Sequence, residues 1–305
     1  VDDQVKYMDD LQIGDYVAYS PGSETASSYP LSMAESGSTS DQTIPKDTSL
    51  KWRVLSINND GTVDLVSDTE TDTKIYYKGA TGYNNGVYSL NNMCSQLYSN
   101  SSLGATARSM TIEDIETGMN EDGLNYLHGY SDVQAVWGET YTYTNNRYYP
   151  NLYEQENGSG IDLATINDPN SAVKEDGINQ SDSYYTEPST ETYSQASSRL
   201  TVKQTYYNRS MSSSHYRDGQ TFYDLVHPES FYCLASRYVN TYSTDANFGL
   251  RAVNSSSLRG GTMFSTDGHA YDYYGYLRPV VSLGSNIRLG SGDGQGPDSA
   301  YEIIQ

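Results

Sequence analysis

Trp52-Arg-Val-Leu-Ser-Ile57, then Asn58-Asn59-Asp60-Gly61, then Thr62-Val-Asp-Leu-Val-Ser67: two apolar runs rich in β-formers flank a short polar turn. Asp and Gly both tolerate positive φ, so Asp-Gly between two such runs predicts a β-hairpin. Upstream, Ile13-Gly-Asp-Tyr-Val-Ala-Tyr19 alternates and stops at Pro21, which predicts a further strand. The Ser/Gly/Thr-rich stretch 22–48 reads as a loop. Residues 1–80 therefore read as an N-terminal β-hairpin region.

Downstream the period changes. Val87, Leu90, Cys94 and Leu97 recur at steps of three and four, one face of an α-helix. Asn84-Asn85-Gly86 is the expected start of that helix. Ala105-Thr-Ala-Arg108 follows. Thr111 with Asp114 three residues on predicts a capping box, and Gly118 a helix stop. Residues 81–137 form this helical part. The C-terminal third, 221–305, returns to short strands: Phe231–Ala235, Phe248–Val253, Thr262–Ser265, Ala270–Tyr274, Leu277–Leu283 and Tyr301–Ile304. Ser255-Ser256-Ser257 and Asp267-Gly268 supply turns. Between them, 138–220 is dense in Tyr, Ser, Thr, Asn and Gln, and reads as an insertion of long loops with short strands.

The chain has 305 residues, 36% of them hydrophobic and 19% charged, and 31 tyrosines against 4 Phe and 2 Trp. Tyrosine replaces much of the missing aliphatic content. It buries a large ring and still offers a hydroxyl, which suits strands and interfaces. The net charge of −21 repels nucleic acid and anionic lipid. No run approaches the ~18 apolar residues of a membrane span, so membrane insertion is not expected. Val1 in place of an initiating Met predicts a removed leader or a trimmed chain. Seven lysines and abundant Ser, Thr, Asn, Gly and Tyr resemble extracellular proteins. Five Asn-x-Ser triplets are what this composition gives by chance.

Two stretches together resemble a known family. One is Gly82-Tyr-Asn-Asn-Gly-Val-Tyr-Ser-Leu-Asn-Asn-Met-Cys94, continuing to Ala105-Thr-Ala-Arg-Ser109 and Ile112-Glu-Asp-Ile115. The other is Tyr232-Cys-Leu-Ala-Ser-Arg237 with Gly249-Leu-Arg-Ala-Val253 and Leu277-Arg-Pro-Val-Val-Ser-Leu283. They are similar to an uncharacterised domain family in secreted proteins of Gram-positive gut bacteria and their phages. Its C-terminal half resembles the C-type-lectin-like, sulfatase-modifying-factor-like group. The resemblance implies an α+β fold: a C-type-lectin-like mixed unit with a mostly antiparallel twisted sheet, two helices and long loop insertions. It also implies a helix-to-strand disulfide, Cys94–Cys233, with two buried free thiols as the alternative. The formylglycine-generating chemistry of that group uses two reactive cysteines in the C-terminal part. Only Cys233 lies there, so that chemistry is not expected.

No nucleophile elbow, zinc-protease, Cys-x-x-Cys or phosphate-loop motif occurs, and His128, His215, His227 and His269 fall in unrelated contexts. No catalysis is expected. Asp68, Glu70 and Asp72 alternate in one segment and offer hard oxygens for calcium, against the ordinary reading of a solvated acidic turn. Arg108, Arg237, Arg251 and Arg278 stand in apolar segments, where an Arg usually pairs with a carboxylate such as Asp114. The contact candidates are Tyr141, Tyr143, Tyr148, Tyr149, Tyr184, Tyr185, Tyr206, Tyr207, Tyr271, Tyr273 and Tyr274, since phenol rings stack on sugar faces and anchor interfaces. Two functions are expected at a cell or virion surface. The first is a self-assembling filament, sheath or decoration subunit whose partners are copies of itself. The second is a lectin-like adhesin for a glycan or host surface protein.

Overall fold

The computed structural model describes residues 10–131, 135–143, 200–228, 230–266 and 269–304. In chain order the elements are β1 (Tyr16–Val17), β2 (Ser28–Leu31), α1 (Met33–Ser36), β3 (Gln42–Pro45), β4 (Trp52–Ile57), β5 (Val63–Ser67), β6 (Ile75–Lys78), α2 (Gly79–Tyr98), β7 (Thr106–Ser109), α3 (Ile112–Thr117) and α4 (Glu121–His128). Then come β8 (Thr140–Tyr143), β9 (Leu200–Lys203), β10 (Arg209–Ser210), α5 (Gly219–Val226), β11 (Phe231–Thr241), β12 (Ala246–Asn254), β13 (Ser257–Ser265), β14 (Asp272–Gly275), β15 (Pro279–Leu283), β16 (Arg288–Leu289) and β17 (Ile303–Ile304). This is a mixed α+β architecture with mostly antiparallel sheets. Three helices, α2, α4 and α5, reach two turns or more, one more than expected.

A five-stranded sheet runs β1-β4-β5-β15-β7 and a four-stranded sheet runs β10-β13-β12-β11. The predicted hairpin is β4–β5; Asn58 N–H donates to Thr62 O at 2.9 Å and Gly61 takes φ of 80° at its tip. Strand β15, from the far end of the chain, lies between β5 and β7 and joins the N-terminal strands to the helical part. The sheets meet where β11 shifts register between Cys233 and Arg237. There Ala235 N–H donates to Met110 O at 2.8 Å, and Ile112 N–H donates to Ser236 Oγ at 3.0 Å.

Helix α2 fills the space between the sheets. Fifteen of its twenty residues are buried, so it is covered nearly all round rather than along one stripe. It starts at Gly79, five residues before Asn84. The Asn84-Asn85-Gly86 segment that reads as a start is interior because Gly86 is a packing residue. A Cβ there would sit 2.5 Å from Leu250 Cδ1. Tyr83 meets Phe248 edge-on at 5.5 Å, and the Tyr77 hydroxyl bonds the Ser89 hydroxyl at 2.6 Å. A second apolar layer, including Met110, Ile115, Leu127, Phe222, Leu225, Leu234 and Val280, lies under α3, α4 and α5.

The stretch 22–48 is more ordered than a loop. It holds the β2–β3 hairpin and the single turn α1, with Ser32 as its cap. Ala105-Thr-Ala-Arg108 leads into β7. The capping box at Thr111 and Asp114 is present in both directions, and Gly118 ends α3. Replacing Thr111 with Ala is expected to cost about 1 kcal/mol in a urea titration; no change in midpoint would contradict the cap's role. In 138–220, β8 pairs antiparallel with β9, with Tyr143 opposite Leu200, so the chain leaves and re-enters on neighbouring strands.

Candidate functional site

Among the described residues, the β6–β14 ribbon carries the most exposed aromatic surface associated with the predicted tyrosines. Opposite residues on an antiparallel pair share a face, and the register sets Tyr274 against Tyr76 and Asp272 against Lys78. Tyr76, Tyr271 and Tyr274 are 47%, 38% and 50% exposed, while Tyr273, one residue out of phase, is buried. The Tyr76 and Tyr274 rings lie 6.0 Å apart at 41°. Lys74 Nζ sits 5.0 Å above the Tyr274 ring, and Lys78 Nζ lies 3.7 Å from Asp272. The free edge of β6 is closed by Gln42, which accepts from Tyr76 N–H at 2.9 Å and donates to Tyr76 O at 2.8 Å.

Beside Tyr274 the surface dips into a groove of about 300 Å³ walled by Phe231, Asn254, Arg259, Asp272 and Tyr274. Its floor is the Tyr273 ring lying against Gly261. The Tyr273 hydroxyl donates to Arg251 O at 3.0 Å, which fixes the floor. The groove thus combines apolar rings, an amide, a carboxylate and a guanidinium, the composition of a small polar-ligand site.

The predicted tyrosines divide. Tyr271 and Tyr274 are exposed on one ribbon. Tyr273 and Tyr207 are core residues, correcting their assignment as contacts; strand alternation turns Tyr273 inward, and Tyr207 lies under the Arg251 guanidinium at 4.4 Å. Tyr206 is half-buried against Tyr238 and edge-on to Tyr130, at 4.9 and 5.8 Å. Tyr141 is half-buried and accepts from Val136 N–H at 2.8 Å. Tyr143 is described only as the last residue of β8. Tyr148, Tyr149, Tyr184 and Tyr185 lie outside the described residues. Sequence reading missed Tyr76, Lys74, Phe231, Asn254 and Arg259. Alternation in Ile75-Tyr-Tyr-Lys78 was the one available signal, and it marks Tyr76 alone.

Arg108 grips Asp114 through both nitrogens, at 2.6 and 2.7 Å, tying β7 to α3. The other three arginines have backbone carbonyls among their partners. Arg237 donates to Tyr83 O and Asn84 O at 2.9 and 2.8 Å, across from β11 to α2. Arg251 donates to Thr205 O at 2.6 Å. Arg278 donates to Ser67 O, Leu225 O and Asp68 O at 2.8, 2.7 and 3.2 Å, which corrects the ion pair expected for it. A planar fork reaches several carbonyls at once, and carbonyls at strand and helix ends need donors.

Cys94 and Cys233 are buried free thiols, the second of the two expected alternatives, and no disulfide joins them. Their surroundings differ: Cys94 lies beside Ser109 of β7 and Cys233 beside Tyr273. Burial pushes the Cys94 thiol well up and the Cys233 thiol up to about 12, so neither is a ready nucleophile. Asp68 accepts from Lys51 N–H and Asp72 from the Thr73 hydroxyl, while Glu70 turns one oxygen inward. They do not converge, and no cluster of three metal-ligating side chains occurs among the described residues. His128 bonds Glu116 at 2.9 Å and stacks on Trp137 at 3.9 Å. His215 stacks on Tyr126 and His269 on Tyr271. His227 is buried between the Tyr216 hydroxyl and Ser255 O, and burial lowers its pKa to about 4.

No helix among the described residues is long and apolar enough to cross a membrane. No protein-family model matches the chain, nor does any curated protein or solved structure.

Proposed function

We propose that this protein is an extracellular, non-catalytic recognition module, a lectin-like adhesin that engages glycan on its β6–β14 face. The observation that carries the reading is the Tyr76–Tyr274 pair, half-exposed beside a groove of polar side chains. An aromatic face is electron-rich, so it attracts the slightly positive C–H groups of a sugar ring. Asn254, Asp272 and Arg259 supply the directional hydrogen bonds that select among hydroxyls. The tyrosines need no reorganisation, since their neighbours hold them. The lectin-like resemblance in 232–253 and 277–283 supports the same reading.

Self-association through this face, as a filament or decoration subunit, is the second reading. The exposed aromatics favour it, but each copy carries a net charge of −21, which opposes close packing of like surfaces. A glycan array probed with the full chain tests the choice. Binding is expected, with Tyr274→Ala and Tyr76→Ala each weakening it at least about tenfold. Both side chains are exposed enough for the variants to fold. An array with no hits, together with concentration-dependent oligomers in light scattering that Tyr274→Ala dissolves, would replace the glycan reading with the filament one.

A further inference from the structure

Within the proposed glycan reading, we infer that the groove takes a sugar carrying one carboxylate, held by the Arg259 guanidinium. The chain has 39 acidic and 18 basic residues, so a guanidinium lining a groove runs against the sign of the molecule as a whole. Arg259 lines the groove half-buried, and its guanidinium makes no ion pair or hydrogen bond among the described residues. Arg108, Arg237, Arg251 and Arg278, by contrast, are engaged by Asp114 or by carbonyls. A half-buried guanidinium without a partner has lost part of its hydration without replacement. A ligand anion restores what burial removed, and the planar fork of donors matches a carboxylate through two parallel bonds.

Two further cations stand at the same place. Lys74 lies over the Tyr274 ring and has no ion-pair partner among the described residues. Lys78 offsets the Asp272 charge at 3.7 Å. The local field at the groove is therefore less negative than the molecule as a whole. Asp272 remains in the wall as an acceptor for sugar hydroxyls. Its presence, with the overall charge, disfavours a dianion and selects a singly charged group. The ring of the same sugar then lies along Tyr274, with Asn254 available to a neighbouring hydroxyl.

The test uses the full chain and an array holding sialylated, uronate-containing, sulfated and neutral glycans, followed by titration calorimetry. The best carboxylated oligosaccharide is compared with its carboxyl-reduced counterpart. The carboxylated form is expected to bind at least about tenfold more tightly. Arg259→Gln should weaken the carboxylated form far more than its carboxyl-reduced counterpart, erasing the preference with the circular dichroism spectrum unchanged, and Arg259→Lys should restore part of it. The preference should also fall as salt rises, because the groove is open to solvent. Equal affinity for the two forms, or an Arg259→Gln variant that keeps the preference, overturns the carboxylate inference and leaves glycan recognition standing. Preference for sulfated sugars alone also overturns it. An array with no hits removes both readings.

Discussion

Arg278→Met is expected to destabilise the fold by at least about 3 kcal/mol, the larger of the two strongest stability effects. The side chain is fully buried and joins three elements: β15, which starts at the next residue, the end of β5 through Ser67 O and Asp68 O, and α5 through Leu225 O. Each orphaned buried carbonyl costs roughly 1–3 kcal/mol, and methionine supplies no donor. The guanidinium also packs on the Tyr232 ring at 5.1 Å, and the carboxylates of Glu70 and Asp68 favour its charge. Burial itself lowers the Arg278 pKa, so these partners are what keep the cation in place. Arg278→Lys should recover little, because one ammonium cannot reach carbonyls on both β5 and α5. Urea unfolding with an unchanged m-value is the measurement. A loss under 1 kcal/mol for the Met variant would show that these bonds do not hold the sheet to α5.

The second large effect is a loss of stability in mild acid traced to His227. The neutral ring satisfies both nitrogens: Nδ1–H donates to Ser255 O at 2.8 Å, and Nε2 accepts the Tyr216 hydroxyl at 2.7 Å. Burial is the main cause that lowers its pKa from 6.5 to about 4, and the Arg278 charge adds to the effect. Tyr216, whose hydroxyl burial pushes up, and the Tyr223 ring also face the imidazole. Between these values the unfolded chain binds a proton that the folded chain excludes. Stability is therefore full above about pH 6.5 and falls as the pH drops toward 4, by about 3 kcal/mol at the lower end. His227→Gln should flatten this slope while being less stable at neutral pH. A variant with the wild-type acid slope would place the origin elsewhere.

What the sequence disclosed was local. The β4–β5 hairpin, the Thr111–Asp114 box and the C-terminal strands each depend on neighbours within a few residues, and turn chemistry and period reveal such features. The start of α2 was hidden because its glycines serve packing against β12 and β13, and a packing glycine looks like a breaker in one dimension. The β2–β3 hairpin was hidden by polar composition. In Tyr271-Asp-Tyr-Tyr274 the alternation separates Tyr273 from Tyr274, but only the pairing with β6 tells which of them faces solvent. Arg278 reads as a buried arginine from its apolar surroundings. That its partners are carbonyls depends on residues more than two hundred positions away. Arg259 carries no sequence signal at all: the groove exists because β11, β13 and β14 meet there.

The central claim is that ligand lands on the β6–β14 face. Amide and tyrosine-ring shifts should be followed by nuclear magnetic resonance while the carboxylated oligosaccharide selected on the array is titrated into the protein. The account predicts changes concentrated at Tyr76, Tyr274, Asn254, Arg259 and Asp272, abolished by Tyr274→Ala. Changes gathered instead around the groove between Tyr19, Trp52 and Pro297, with the ribbon unmoved, would contradict it.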